Sequence, residues 1–437
     1  MKKPFRWLAA AAFAGLMLAG GYMTAILLLP KGEDAVAPVS GAPAELDNQL
    51  ARGEYLARAA DCVACHTAAG GRLLAGGLAF KLPFGTIFST NITPDRETGI
   101  GAWTDEEFVR AVRQGISPHG HLYPAMPYTS YTQLSRDDVL AIKAYLFSQE
   151  PVRQPNAPNG LSFPFNQRWG MAFWNLAFFR DHRMPVSETK SVEWNRGAYL
   201  ALALGHCAEC HTPRNFGYGL KDAQTLSGGN IQGWFAGNIT PDPDAGIGRW
   251  TDEQLMNYLS TGHASGRSSA SGPMAEVMEN SLQYLSRGDI KALAVYLRDV
   301  PPVAADTGAT VNLKPKAALA SSSILPADST MIERDLGARL FASDCAGCHQ
   351  WNGNGRQLPY ASLLGSTAVN DPQGRNVVQV ILKGSQLTLG GQAERMPGFG
   401  GRYSDADVAA LANFVVRQFG GKDGVVTAKQ ALRQRQE

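Results

Sequence analysis

All six cysteines of the chain stand in three copies of one short pattern: Cys62-Val-Ala-Cys65-His66, Cys207-Ala-Glu-Cys210-His211 and Cys345-Ala-Gly-Cys348-His349. C-x-x-C-H is the attachment signature of c-type haem. Residues i, i+3 and i+4 share one face of a helical turn, so two thiols reach the vinyl groups of one porphyrin while the imidazole meets the iron. Zinc is a poor rival, because adjacent Cys65 and His66 leave a helix with about 100° between their directions. A thioredoxin-like pair would leave the histidine idle in every copy, and no βαβ pattern surrounds it. The spacing therefore predicts three covalently bound haem c groups, with His66, His211 and His349 as iron ligands.

Each motif sits in a larger repeat. Arg52-Gly-Glu-Tyr55-Leu-Ala precedes the first, Arg196-Gly-Ala-Tyr199-Leu-Ala the second and Leu336-Gly-Ala-Arg-Leu-Phe341 the third. After the motif, the first two repeats share Asn91-Ile-Thr-Pro-Asp95 and Asn238-Ile-Thr-Pro-Asp242, followed by Gly-Ile-Gly-x-Trp-Thr-Asp-Glu, which the third lacks. Thr104 with Glu107, and Thr251 with Gln254, read as capping boxes, and Trp103 and Trp250 as staples on Phe108 and Leu255. Helix-start chemistry accounts for most of this block, with haem-pocket lining as the alternative. Each repeat closes with an amphipathic helix: Asp137 to Phe147, Asp289 to Leu297 and Asp405 to Gln418. Ser135, Ser286 and Ser404 stand at the N-cap positions. Tyr145, Tyr296 and Phe414 are placed to pack on the first helix of their own repeat.

These repeats predict an all-α chain of three tandem class I-like cytochrome c domains with long loops, at 46–150, 191–300 and 331–420. Linkers are expected at 31–45, 151–190 and 301–330, with a tail at 421–437. Units of roughly a hundred residues bury little apolar area alone, so haem would supply much of each core. The net charge of +2 excludes nucleic-acid binding driven by bulk charge.

A buried haem iron with one protein ligand binds small molecules, whereas two ligands make an electron carrier. Each repeat offers a methionine in a proline-flanked loop: Met126 in Tyr-Pro-Ala-Met-Pro, Met274 in Ser-Gly-Pro-Met-Ala and Met396 in Glu-Arg-Met-Pro. Proline stiffens such loops. His119 and His121 compete with Met126, and Met278 and His263 with Met274. Core packing is the alternative use of any methionine. His206, directly before Cys207, reads as a pocket-edge residue, and His182 belongs to no repeat.

Residues 1–30 begin with Lys2, Lys3 and Arg6 and continue from Leu8 to Leu29 without a charge. A helix of that length, roughly 33 Å, crosses a bilayer. The charge bias puts the N-terminus in the cytoplasm and the rest on the periplasmic face of a bacterial inner membrane. A cleaved signal peptide is the competing reading, with Ala35-Val36-Ala37 as its best cleavage pattern. A second apolar run, Phe163 to Phe179, is aromatic on nearly every side and too short to span. Packing between domains and an interfacial role at a membrane or partner are its two readings.

The haem motifs with their spacing, the Arg-Gly-x-Tyr-Leu-Ala lead-ins, the Asn-Ile-Thr-Pro-Asp blocks and the loops of Met126, Met274 and Met396 together resemble one family. It is the membrane-bound three-haem cytochrome c subunit of bacterial periplasmic dehydrogenases, which act on alcohols, gluconate, sorbitol, fructose or aldehydes. The resemblance implies a separate catalytic subunit carrying pyrroloquinoline quinone, flavin or a molybdenum centre. It also implies ubiquinone as the acceptor, and no substrate catalysis by this chain itself. The alternatives are a free-standing membrane-anchored carrier and a peroxidase-like cytochrome with one open haem.

Overall fold

The computed structural model describes residues 48–304, 330–356 and 358–437. The expected anchor at 1–30, the linker at 31–45 and most of the linker at 301–330 lie outside the described residues. Among the described residues no helix is long and apolar enough to cross a membrane.

Each repeat is framed by a lead-in helix before the cysteine motif and a closing helix at its end. The lead-in helices are Gln49–Ala59, Val192–Ala198 (continued by a π turn, Tyr199–Leu204) and Leu336–Asp344. The closing helices are Arg136–Phe147, Arg287–Asp299 and Asp405–Val415. Ser135, Ser286 and Ser404 cap them, each accepting a hydrogen bond from the backbone three residues on. The last runs into a π turn, Val416–Gly420, so its α-helical part stops short of Gln418. Both predicted capping boxes form at Thr104 and Thr251, and Ser404 with Asp407 adds a third.

A glycine fixes how closely the two framing helices cross. A Cβ on Gly53 would stand 1.9 Å from the Ala141 carbonyl oxygen and 3.0 Å from Tyr145 Cβ. On Gly197 it would meet the Ala292 oxygen at 1.9 Å and Tyr296, and on Gly337 the Ala410 oxygen at 2.3 Å and Phe414. Tyr145, Tyr296 and Phe414 thus pack on the lead-in helix as their positions suggested.

The all-α expectation needs a correction. The chain is mostly helical, but short antiparallel hairpins interrupt each repeat: Ala79–Leu82 with Gly85–Phe88, Gly229–Ile231 with Trp234–Ala236, and Ser385–Leu389 with Gln392–Met396. Strands this short carry too little alternation to read from sequence. The turns of the second and third hairpins rest on residues at positive φ, Gln232 at 47° with Gly233 at 80°, and Gly390 at 55° with Gly391 at 81°.

Two linking stretches also belong to the folded body. Residues 151–161 strap across the first repeat: Asn91 Nδ2 donates to the Val152 oxygen at 2.7 Å, and the Asn91 amide donates to Asn156 Oδ1 at 2.6 Å. Asn238 Nδ2 holds the Val303 oxygen in the same way at 2.7 Å. The tail expected at 421–437 contains a helix, Ala428–Gln436, whose Ala431 is buried. Its Arg435 bonds Asp405 and the carbonyls of Gly400 and Tyr403. A charged, weakly apolar sequence hid this helix, because it is held by polar contacts.

The first two repeats share one hydrophobic core, whereas the third has its own. A crossed pair of tyrosines locks the joint body. Asp289, fully buried, takes Arg196 of its own repeat at 2.6 and 2.8 Å, and Tyr55 Oη of the first repeat at 2.6 Å. Asp138 reciprocally takes Arg52 of its own repeat and Tyr199 Oη of the second, both at 2.5 Å. The third repeat docks on the second through Asn376, which bonds both backbone groups of Phe235, and through Leu387, which enters the joint core.

Candidate functional site: three haem attachment centres

The cysteine motifs form the short helices Cys62–His66, Cys207–His211 and Ala346–His349, the last capped by Cys345. All six thiols are free of disulfides. Desolvation pushes Cys62, Cys65, Cys207 and Cys345 up to about 12, opposite to the low pKa of a thioredoxin-like nucleophile. Among the described residues no cluster of three or more His, Cys, Asp or Glu is arranged to hold a metal ion. This donor set suits an iron that brings its own porphyrin nitrogens.

The three histidines share one geometry. His66 Nδ1 lies 2.7 Å from the Thr90 oxygen, His211 Nδ1 2.6 Å from the Gly237 oxygen, and His349 Nδ1 2.7 Å from the Ala361 oxygen. A carbonyl only accepts, so each Nδ1 carries the proton and Nε2 keeps its lone pair. This is the arrangement of a metal-ligating imidazole fixed by a backbone acceptor. Desolvation lowers the pKa of each ring against the opposing lift of the carbonyl bond, which favours the neutral form a ligand needs. The residues present therefore fit haem.

These carbonyls were missed by sequence reasoning, although a signal was there. Thr90 and Gly237 immediately precede Asn91 and Asn238 of the repeated block. Each asparagine folds its side chain back onto the threonine two residues on, with Oδ1 accepting from Thr93 N at 2.9 Å and Thr240 N at 2.8 Å. The block therefore aims the preceding carbonyl at the histidine besides starting a helix. The third repeat lacks the block and uses a short 3-10 turn, Pro359–Ala361.

Met126 and Met274 are half-buried against the joint core, and Met396 against the third core. Met126 lies in a turn and Met396 ends a strand. Met274 departs from the loop expectation: it is the second residue of the helix Pro273–Asn280, because Pro273 occupies the first turn, where its missing N–H is harmless. Met278 is fully buried. His263 Nδ1 is engaged by Ser269 Oγ at 2.9 Å, His119 is exposed, and His121 is half-buried on a two-residue strand. His182 Nδ1 faces the Arg180 oxygen at 2.9 Å.

The first two motifs meet across the joint body. Glu209, between Cys207 and Cys210, accepts from Thr129 Oγ1 at 2.6 Å and Ser130 Oγ at 3.1 Å, just past Met126. Tyr131 donates to the Ala60 oxygen at 2.6 Å and meets the ring of His206 edge-on at 5.5 Å. His206 therefore stands at the seam between the two repeats.

Helical units presenting C-x-x-C-H cysteine pairs and carbonyl-fixed imidazoles define a c-type cytochrome. Residues 335–418 match the family model described as cytochrome c, and residues 48–146 that described as cytochrome c oxidase, cbb3-type, subunit III. The fructose dehydrogenase cytochrome subunit of Gluconobacter japonicus is 40% identical, with 93% of this chain and 87% of that protein aligned. The gluconate 2-dehydrogenase cytochrome c subunit of Pantoea cypripedii is 37% identical over 95% of this chain and 96% of that one. The cytochrome c subunit of the quinone-type alcohol dehydrogenase of Gluconobacter oxydans is 36% identical over 87% of this chain and 80% of that one. The chain belongs to the family of cytochrome c subunits of bacterial dehydrogenases and is itself an electron carrier.

Proposed function

We propose that the chain passes electrons from the catalytic subunit of a periplasmic dehydrogenase to ubiquinone in the inner membrane. Three haem c groups are held by Cys62 and Cys65, Cys207 and Cys210, and Cys345 and Cys348. His66, His211 and His349 would ligate the three irons, with Met126, Met274 and Met396 as the second protein ligands. Haem iron, when bound, exchanges one electron. The protein keeps each imidazole neutral and oriented, and a methionine thioether as second ligand would raise the potential. The Nδ1-to-carbonyl bond repeated at all three histidines carries this reading. For the second centre, Met278 is wholly enclosed by core and His263 is bonded to Ser269, which favours Met274. Residues 1–30 anchor the chain with the N-terminus cytoplasmic. The domains at 46–150 and 191–300 act as one body, and 331–420 as a second.

Full-length similarity to dehydrogenase cytochrome subunits favours a catalytic partner of the pyrroloquinoline quinone, flavin or molybdenum type. Deleting the gene should leave dehydrogenase activity toward an artificial dye intact while ending substrate-dependent quinone reduction. Unchanged oxygen uptake on alcohols, aldehydes, sugars and gluconate in the deletion strain would refute the assignment. The denatured chain should retain three haems in a pyridine haemochrome titration, since thioether bonds survive unfolding.

A further inference from the structure

The helix Gly170–Phe178 (sequence GMAFWNLAF) is apolar around most of its circumference, and one side is covered. On that side Trp174 Nε1 donates to the Gly217 oxygen at 2.7 Å, and Asn175 Oδ1 accepts from Tyr128 Oη at 2.6 Å. Phe178 lies so close to Gly217 and Gly219 that a Cβ on either would clash with its ring. The other side carries Phe173 and Leu176, with Trp169 at the helix start. Trp169 and Phe173 are each 66% exposed and their rings stand 6.1 Å apart. The surface continues through Phe165, stacked on Phe84 at 4.3 Å, and Tyr218, edge-on to Phe84 at 5.4 Å. Phe163 and Phe216 border it at 78% and 98% exposure. A helix so apolar is normally buried on all sides, and a contiguous uncovered aromatic surface marks a site of contact.

Charge selects the occupant. The aromatic segments 160–180 and 213–221 carry Arg168, Arg180, Arg214 and Lys221 and no acidic residue; Asp181 and Asp222 follow directly, with Asp181 paired to Arg183 and Arg214 to Glu209. Arg168, Arg180 and Lys221 are exposed. Tryptophan and phenylalanine flanked by cations suit the boundary between headgroups and acyl chains of an anionic bilayer. A nine-residue helix, about 13 Å long, lies in that zone and does not span it. We propose that this face seats the joint body of the first two repeats on anionic phospholipid, a second membrane contact beyond the N-terminal segment. The proposal rests on the membrane location argued above.

The test places p-benzoylphenylalanine at Phe173 and, separately, at Phe216 in the full haem-loaded chain within native membranes, with Asp137 as the reference position. Irradiation should give phospholipid adducts at both sites in several-fold higher yield than at Asp137, with phosphatidylglycerol enriched over its share of the bulk lipid. Adducts to a second protein chain instead of lipid, or no excess over Asp137, overturn the proposal. A phosphatidylglycerol share equal to the bulk overturns the anionic preference it states. A chain recovered outside the membrane fraction refutes the membrane location itself, a result distinguishable from the others before irradiation.

Discussion

Met274 and Met278 lie one helical turn apart and occupy different surroundings, the first half-buried and the second fully enclosed. Met274→Ala should lower one of three midpoint potentials in a spectroelectrochemical titration and remove part of the weak sulfur-to-iron absorption of the oxidised state. Met278→Ala should leave all three potentials in place and cost about 2–5 kcal/mol of stability through the cavity it leaves. A reversed outcome would move the ligand to Met278. Tyr55 offers a second residue-scale test. Burial, with Asp289 beside it, raises its pKa from 10.0 to about 12. The folded state therefore holds the phenolic proton more tightly than the unfolded chain does. That stability is fully present below pH 10 and is lost as pH rises through about 12. Tyr55→Phe removes the bond to Asp289, costing about 1–2 kcal/mol at neutral pH. Denaturant titrations at several pH values should show a shallower alkaline loss in the variant.

Among the elements, the crossing of lead-in and closing helices sets the shape of each repeat. Gly53→Ala drives a methyl into the Ala141 carbonyl, where backbone must move. The two helices should part, with a loss of about 3 kcal/mol or more and a lower melting temperature. Gly288 is the internal control: it is exposed in the first turn of the Arg287–Asp299 helix, and the nearest atom to an added Cβ is Ser286 Oγ at 3.7 Å. Gly288→Ala should therefore stabilise by about 0.5–1 kcal/mol through helix propensity. Thermal melts of the two variants should shift in opposite directions.

In the whole molecule, a single core spans the first two repeats while the third has its own. Leu56 and Leu200 lie in different repeats but in that one core, and Phe414 lies in the other. Calorimetry of the holoprotein should show Leu56→Ala and Leu200→Ala lowering the same transition, each by about 2–5 kcal/mol, with Phe414→Ala lowering another. Three separate transitions, each moved by one variant, would count against the joint body. The arrangement also bears on electron flow. The first two cysteine motifs are held across a locked seam by Glu209, Tyr131 and His206, whereas the third repeat is docked through hairpins and side-chain contacts.

Local spacing determined much by itself. The three attachment motifs, the serine N-caps, the capping boxes at Thr104 and Thr251 and the pairing of lead-in with closing helices all follow from contacts within a turn or from a helical period. Such signals need no knowledge of where the rest of the chain goes. The tertiary structure alone decided the rest. Tyr55 reaches Asp289 across 234 positions, and Tyr199 reaches Asp138 across 61. In sequence both tyrosines look like core aromatics of their own repeat. The carbonyls that fix the histidines belong to backbone: the repeated asparagine blocks mark the positions of two of them, at Thr90 and Gly237, but only the folded chain brings each against its imidazole. The Ala428–Gln436 helix is held by Arg435 rather than by an apolar stripe, so periodicity did not mark it. The uncovered face of Gly170–Phe178 was undecided in a segment aromatic on nearly every side. Only the packing of Trp174 and Phe178 against the 214–220 loop determined which side stays outward.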